Sequence, residues 1–313
     1  MAILSKMYFN AVFGALGGLL GWMLFGVFGE KVPTSDDLNL LLGGAIIGGA
    51  IGYFVVSVEA IRDQSLVRFA RLASYGVLIA LVGGALGMYL GDRINQVLVA
   101  MGGTHLVLTM IARGLGWSLL GIAIGASEGI AARSLGKFSY GAMGGLLGGF
   151  IGGMIYELLR HLASETLSTT YLGNAIGLVI LGACIGSLSA LVQTVFLPAN
   201  VKVMRGWQEG REYPLDKPAN LLGRDEHADI ALFRDMKVEK KHCYIKNLDG
   251  ARYLLVNNGA PAEQTLVNET PVTDQRELKD GDRIQLGNVI LKFQLRAAKV
   301  RAKGQRLAVP TGS

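Results

Sequence analysis

The chain has 313 residues, of which 17% are charged and 51% hydrophobic, with 44 glycines, a net charge of +6 and a mean hydropathy of +0.40. Soluble chains average about 25% charged residues and about 7% glycine, so a single water-soluble globule is excluded. Two cysteines, Cys184 and Cys243, exclude a disulfide scaffold.

The averages conceal a division. Residues 1–200 hold 19 charged residues and 35 glycines, whereas residues 201–313 hold 35 charged residues and 9 glycines. The expected organisation is a glycine-rich transmembrane domain over 1–200, a β-domain over 201–297 and a basic, disordered tail over 298–313. The positive charge belongs mostly to the second part and does not argue for nucleic acid as a partner.

In chain order, six stretches reach the roughly 20 apolar residues that a bilayer crossing needs. They run over 8–28, 39–60, 72–91, 105–128, 138–158 and 173–197, and the fourth is the least apolar because His105 and Arg113 sit near its start. The first follows Lys6 without a small-residue cleavage site, so it reads as a span and not as a removable signal. One set of loops carries Lys6, Arg62, Arg68, Arg71, Arg133, Lys137, Lys202 and Arg205, and the opposite set carries Lys31, Arg93, Arg113 and Arg160. By the positive-inside rule the two termini are expected in the cytoplasm, at an inner (plasma) membrane. Between the second and third spans, residues 61–75 mix Arg62, Arg68 and Arg71 with apolar residues and read as an ordinary positive inside loop.

An internal repeat supports the count. Tyr75-Gly76, Gly83-Gly84 and Gly87 recur at a shift of 65 as Tyr140-Gly141, Gly148-Gly149 and Gly152, and GALGGLLG (14–21) resembles GAMGGLLG (141–148). The even spans carry Gly48/Gly52, Gly121/Gly125 and Gly182/Gly186. The expected fold is an all-α six-span bundle of three tandem hairpins, with glycine at four-residue spacing letting helices approach closely. No nucleotide-binding fingerprint is present, since Gly-Lys-Ser/Thr is missing and no strand precedes the glycines. Glu59 and Glu128, near the ends of even spans, are candidates for an intramembrane polar site, although nearby Arg62 and Arg133 offer them simple ion pairs.

After residue 201 the pattern changes to short alternating runs, YLLVNNG (253–259), KDGDRIQLG (279–287) and VILKFQL (289–295), separated by turn signals. They predict an antiparallel β-sandwich. The strings EGREYPLDKPANLLGRDEHADIALFRDMKVEKKHCYI (209–245), TLVNETPV (265–272) and LKDGDRIQLGNVILKF (278–293) resemble a forkhead-associated (FHA) domain over roughly 202–296. In that family the sandwich binds phosphothreonine peptides through loops at one end. The resemblance implies that Arg224 binds phosphate, that Gly223 and His242 brace the loop, and that Lys240, Lys241 and Thr265 complete a phosphopeptide site. Two of the family's motifs differ, at three positions. Glu239 stands where the family has a serine hydroxyl, and Glu263-Gln264 stand where it has Asn-Gly.

The histidines His105, His161, His227 and His242 form no metal-spaced cluster with the cysteines, and no nucleophile–base set can be assembled. No cofactor, metal or catalysis is expected. The function expected is a membrane-anchored interaction and signalling protein that presents a cytoplasmic FHA module for phosphothreonine-dependent, or degenerate and phosphate-independent, protein binding. Its expected partners are a phosphorylated protein or Ser/Thr kinase substrate and the lipid bilayer, with homo-oligomerisation left open. The alternative is a channel or transporter regulated by that module.

Overall fold

A computed structural model of the protein describes residues 2–28, 35–63, 66–102, 105–166, 170–232, 234–249 and 252–295. It divides into two compact units, Met1–Phe196 and Leu197–Ser313.

The first unit is six helices: α1 (Ala2–Phe28), α2 (Asp36–Asp63), α3 (Leu66–Gly102), α4 (Leu106–Ala132), α5 (Leu135–Thr166) and α6 (Thr170–Phe196). All six are long and apolar enough to cross a membrane. A helix suits such sequences because it pairs its own backbone N–H and C=O groups where no water is present to do so. Each helix packs on its neighbours in sequence, and α6 returns to α1, so the six close a ring. The even helices lie inward. Ile51, Leu120, Ile124, Leu181 and Ile185 of α2, α4 and α6 are at most 1% exposed and fill the space between them. The odd helices α1 and α5 turn Leu16, Leu19, Met23, Leu146, Leu147 and Ile151 outward.

The odd helices carry two rows of glycine, one for each neighbour. Gly14 and Gly18 of α1 lie against the backbone of Gly182 and Leu178 of α6, while Gly17 and Gly21 lie against Ile51 and Ile47 of α2. On α5, Gly141 and Gly145 meet Gly125 and Gly121 of α4, while Gly144 and Gly148 meet Ser189 and Ile185 of α6. A methyl group at Gly145 would fall on the carbonyl of Gly121, so these seams exist only because the side chains are absent.

Two boundaries differ from the sequence expectation. Residues 66–75 are no loop; they are the start of α3, which continues past residue 91 to Gly102. No helix breaker interrupts it, and beyond the apolar run Asp92 accepts from Gln96 one turn later at 2.8 Å. The α4–α5 connection is tighter than expected. Arg133 adopts φ 53°, ψ 44° and caps α4 with its N–H on Gly129 and Ile130, and Ser134 Oγ then accepts from Lys137 N at 3.1 Å to open α5.

The second unit is a two-sheet sandwich. The strands are β1 (Ala199–Arg205), β2 (Glu212–Pro214), β3 (Ala219–Gly223), β4 (Ile230–Ala231), β5 (Cys243–Asn247), β6 (Tyr253–Asn257), β7 (Thr265–Val267), β8 (Thr270–Pro271), β9 (Gln275–Leu278), β10 (Arg283–Leu286) and β11 (Val289–Leu295). One sheet has the order β2-β1-β11-β10-β7-β8 and the other β4-β3-β5-β6-β9. Strict alternation sets the faces: Val289, Leu291 and Phe293 of β11 point inward, and Ile290, Lys292 and Gln294 point outward. The core between the sheets includes Val201, Leu222, Ile245, Leu255, Ile284 and Phe293, all completely buried. Gly281 (φ 93°) and Gly287 (φ 57°) take the left-handed turns on either side of β10. The chain enters this unit at Ala199, the first residue of β1, and the turn from β10 to β11 lies at the other end of that strand because β11 runs antiparallel to it.

Candidate functional site

At one end of the sandwich the loop after β3 and the loop between β4 and β5 are bonded to each other. Arg224 N donates to Glu239 O at 2.8 Å, Asp225 N to Lys240 O at 3.3 Å, and His242 N to Leu222 O at 3.0 Å. Gly223 permits this approach, since a Cβ there would fall on the carbonyl of Lys240. The result sets the half-buried Arg224 beside the exposed Glu239, Lys240 and Lys241. Lys240 also bears on Asp225, whose carboxyl is held below its ordinary range chiefly by the His227 backbone N–H and ring, and to a lesser extent by the Lys240 charge.

Arg224 itself is incompletely satisfied. Nη1 reaches only the thioether of Met236, at 3.0 Å, and Nε is buried without a hydrogen-bond partner among the described residues. A thioether is a weak acceptor, so the guanidinium retains strong donor capacity for an anion.

Beneath these cations lies a buried polar relay. His242 is fully buried; its Nδ1 accepts from Glu239 N at 3.0 Å and its Nε2 lies 2.9 Å from Thr265 Oγ1. Because Nδ1 is an acceptor, the proton sits on Nε2, which donates to Thr265, and Thr265 in turn donates to Pro261 O at 3.4 Å. Burial, the largest influence, lowers the His242 pKa and favours this neutral form. The expectation that Thr265 touches a peptide is corrected here. Thr265 is completely buried with its hydroxyl engaged by His242, so it is a brace and not a ligand contact.

Three features at this end escaped sequence reasoning. Asn257 spans the loop after β6: its Nδ2 donates to Ala260 O and Val272 O at 2.9 Å each, and its Oδ1 accepts from Ala260 N at 3.0 Å. Asn258 Nδ2 donates to Lys241 O at 2.9 Å, tying that loop to the cationic one. The Asn-Asn-Gly run was the available signal for both. The third had no signal in the linear chain: Arg234 stacks over the Trp207 ring, 3.1 Å from its centroid, beside a cavity of about 210 Å³ lined by Val203, Leu232 and Val289. Asp235 pins this wall by accepting from Asn288 N at 2.6 Å and from Lys237 N at 3.0 Å.

In the helical unit, the side chain of Glu59 lies outside the described residues. Glu128 of α4 pairs with Lys137 of α5 (3.4 Å) and accepts from Gln193 of α6 (3.1 Å). Its carboxylate therefore joins three helices. Glu157 is 2% exposed and is held by Arg160 Nε (3.0 Å) and by Arg113 (3.5 Å). Among the described residues no group of three or more His, Cys, Asp or Glu side chains could hold a metal ion.

Comparison with known proteins places matches on the second unit. Residues 202–297 match the family described as the cytoplasmic domain of the inner membrane component of the type III secretion system (T3SS). The chain is 35% identical over 91 residues to the glycogen accumulation regulator GarA of Mycolicibacterium smegmatis, and 33% identical over 91 residues to the oxoglutarate dehydrogenase inhibitor of Corynebacterium diphtheriae. Each match takes in 29% of this chain, and it spans 55% and 61%, respectively, of the relatives' own lengths. Among solved structures, the FhaA FHA domain complexed with the intracellular domain of Rv3910 is 31% identical, with 31% of this chain and 99% of that one covered and a TM-score of 0.28. An FHA domain from a study of phosphothreonine-dependent interactions is 30% identical, with 32% and 97% covered and a TM-score of 0.29.

Proposed function

With residues 202–297 an FHA domain that follows six helices of membrane-spanning length, we propose that this chain is a membrane-held reader that recruits a phosphothreonine-bearing partner on the cytoplasmic side. The observation that carries this reading is the state of Arg224. Its guanidinium has a buried Nε with no partner among the described residues, its backbone is fixed by the Glu239 carbonyl, and Lys240 stands beside it. A phosphate monoester bears close to two negative charges near neutral pH and is best met by such a guanidinium plus an ammonium. The buried His242–Thr265 relay supports the geometry by fixing the loop that presents Lys240 and Lys241. Glu239 opposes an anion at the same edge, so Arg224, Lys240 and Lys241 have to outweigh it.

The orientation of the reader rests on the eight basic residues on one set of loops against four on the other. An FHA domain is a binding module, so the chain acts by bringing partners to the membrane and not by chemistry of its own.

The test is a titration of residues 197–295 with a phosphothreonine peptide library, its unphosphorylated counterparts and the Arg224→Ala variant. Charge-assisted hydrogen bonds contribute about 1.5–3 kcal/mol, so Arg224→Ala should weaken phosphopeptide binding by about tenfold or more. Equal binding of phosphorylated and unphosphorylated peptides, unaffected by Arg224→Ala, would show that the loops recognise something other than phosphate.

A further inference from the structure

The outer face of the six-stranded sheet carries three cations in a single row. Lys202 on β1 stands directly opposite Lys292 on β11, and Lys292 stands directly opposite Arg283 on β10. Neighbouring strands are about 4.8 Å apart, so the three charges fall within about 10 Å. Like charges directly opposite one another destabilise a sheet. None of the three side chains has an ion-pair partner among the described residues. The acids nearest in register are committed elsewhere or lie at the edge. Glu212 on β2, opposite Lys202, accepts from Asn200 Nδ2 at 3.1 Å, and Asp282 holds Asn268 Nδ2 and Lys279 N. The row therefore keeps an excess of positive charge even with Glu212 included.

The adjoining row on the same face is largely apolar. Arg205, whose Nε donates to Asn288 O at 3.2 Å, begins it opposite Ile290; Ile290 then stands opposite Gln285, Gln285 opposite Leu266, and Leu266 opposite Pro271, with Met204 exposed at the bulge in β1. A cationic row beside a row containing apolar residues on a pleated surface matches the two layers of a membrane interface, where headgroup phosphates lie above the first methylenes. An acidic peptide would satisfy the cations and leave Met204 and Ile290 in water.

We propose that this sheet face binds the surface of an anionic bilayer, with lipid phosphates on Lys202, Lys292 and Arg283 and with Met204 and Ile290 at headgroup level. The bilayer is also the polyanion at hand. The chain carries six helices of spanning length, and six positions separate Phe196, the end of α6, from Lys202. The face is separate from the Arg224 loops, so the proposal stands whether or not those loops read phosphate.

The experiment uses the full chain in nanodiscs of phosphatidylcholine alone or with phosphatidylglycerol. Amine acylation is followed by mass spectrometry at Lys202 and Lys292, with the exposed Lys246 and Lys279 as internal references. At about 0.05 M salt, Lys202 and Lys292 should react several-fold more slowly in the anionic discs, and the protection should vanish near 0.5 M salt, where screening is short-ranged. The reference lysines should react alike in both discs. Arg283→Glu, on an exposed strand position that the core does not use, should remove most of the protection at Lys202. Equal rates in the two lipids overturn the proposal. So does protection in phosphatidylcholine discs produced by inorganic phosphate, which would make the row a free-anion site, or produced only by added acidic protein, which would make it a protein interface.

Discussion

His242 shows how one residue can matter to the candidate site without touching a ligand. It is enclosed by the sandwich, accepts from the Glu239 backbone through Nδ1 and donates to Thr265 through Nε2, and so fixes the loop bearing Lys240. The relay needs the neutral ring, and burial lowers the pKa accordingly. In the unfolded chain the same ring takes up a proton near pH 6.5. The folded state therefore binds fewer protons than the unfolded state below that pH, and stability falls as pH drops from about 6.5 toward the lower folded value. Asp225 contributes in a separate window, because its depressed carboxyl pKa supports the fold above about pH 3.8 and loses that support only in stronger acid. Denaturant titrations of residues 197–295 at pH 7.5 and 5.5 should thus show lower stability at 5.5, and His242→Gln should flatten the difference. A slope that survives the substitution would assign it to another group. At this scale the bracing place of His242 was legible in the sequence, and Arg224 could be picked out as a candidate, because each sits in a motif of fixed spacing. The part played by Thr265 was not, since only the folded sandwich brings its hydroxyl against a histidine on another strand.

Among the elements, the odd helices owe their glycine content to having two partners each. A single Gly-x-x-x-Gly row serves one close neighbour, and α5 has two such rows offset by three residues, one facing α4 and one facing α6. Gly145→Val should place its side chain on the carbonyl of Gly121 and lower the stability of the purified bundle by about 1–3 kcal/mol, the usual cost of overpacking. Gly26→Val, at a position with open space around it, should change little. Thermal scans of the two variants in the same detergent make the comparison, and equal losses would mean that the cost is one of glycine replacement in general. The repeat itself was legible because glycine at a seam cannot drift without a clash. Which seam each glycine serves was not, because both rows read as one glycine-rich string until the neighbours are known. The length of α3 was missed for a related reason: hydropathy marks where lipid-compatible residues stop, whereas a helix continues until its backbone or its side chains stop it.

For the molecule as a whole, the contrast between a charge-poor, glycine-rich stretch and a charged one corresponds to two compact units with separate cores. Six crossings would place both ends of the helical unit on one side, so reporter fusions after residue 5 and after residue 295 should give the same compartment signal, with a fusion within residues 29–34 giving the opposite one. Opposite signals after residues 5 and 295 would remove the even count of spans, and matching signals after residue 5 and within residues 29–34 would remove α1 as a crossing. The closed ring of helices has a consequence for biogenesis. The seam of Gly14 with Gly182 joins the first helix of the unit to its last, so α1 holds one glycine row bare while about 150 further residues are made, about eight to thirty seconds at ordinary translation rates. Insertion of α6 is then the closing event. A chain released after α4 would carry unpaired small-residue faces at both ends of an open arc.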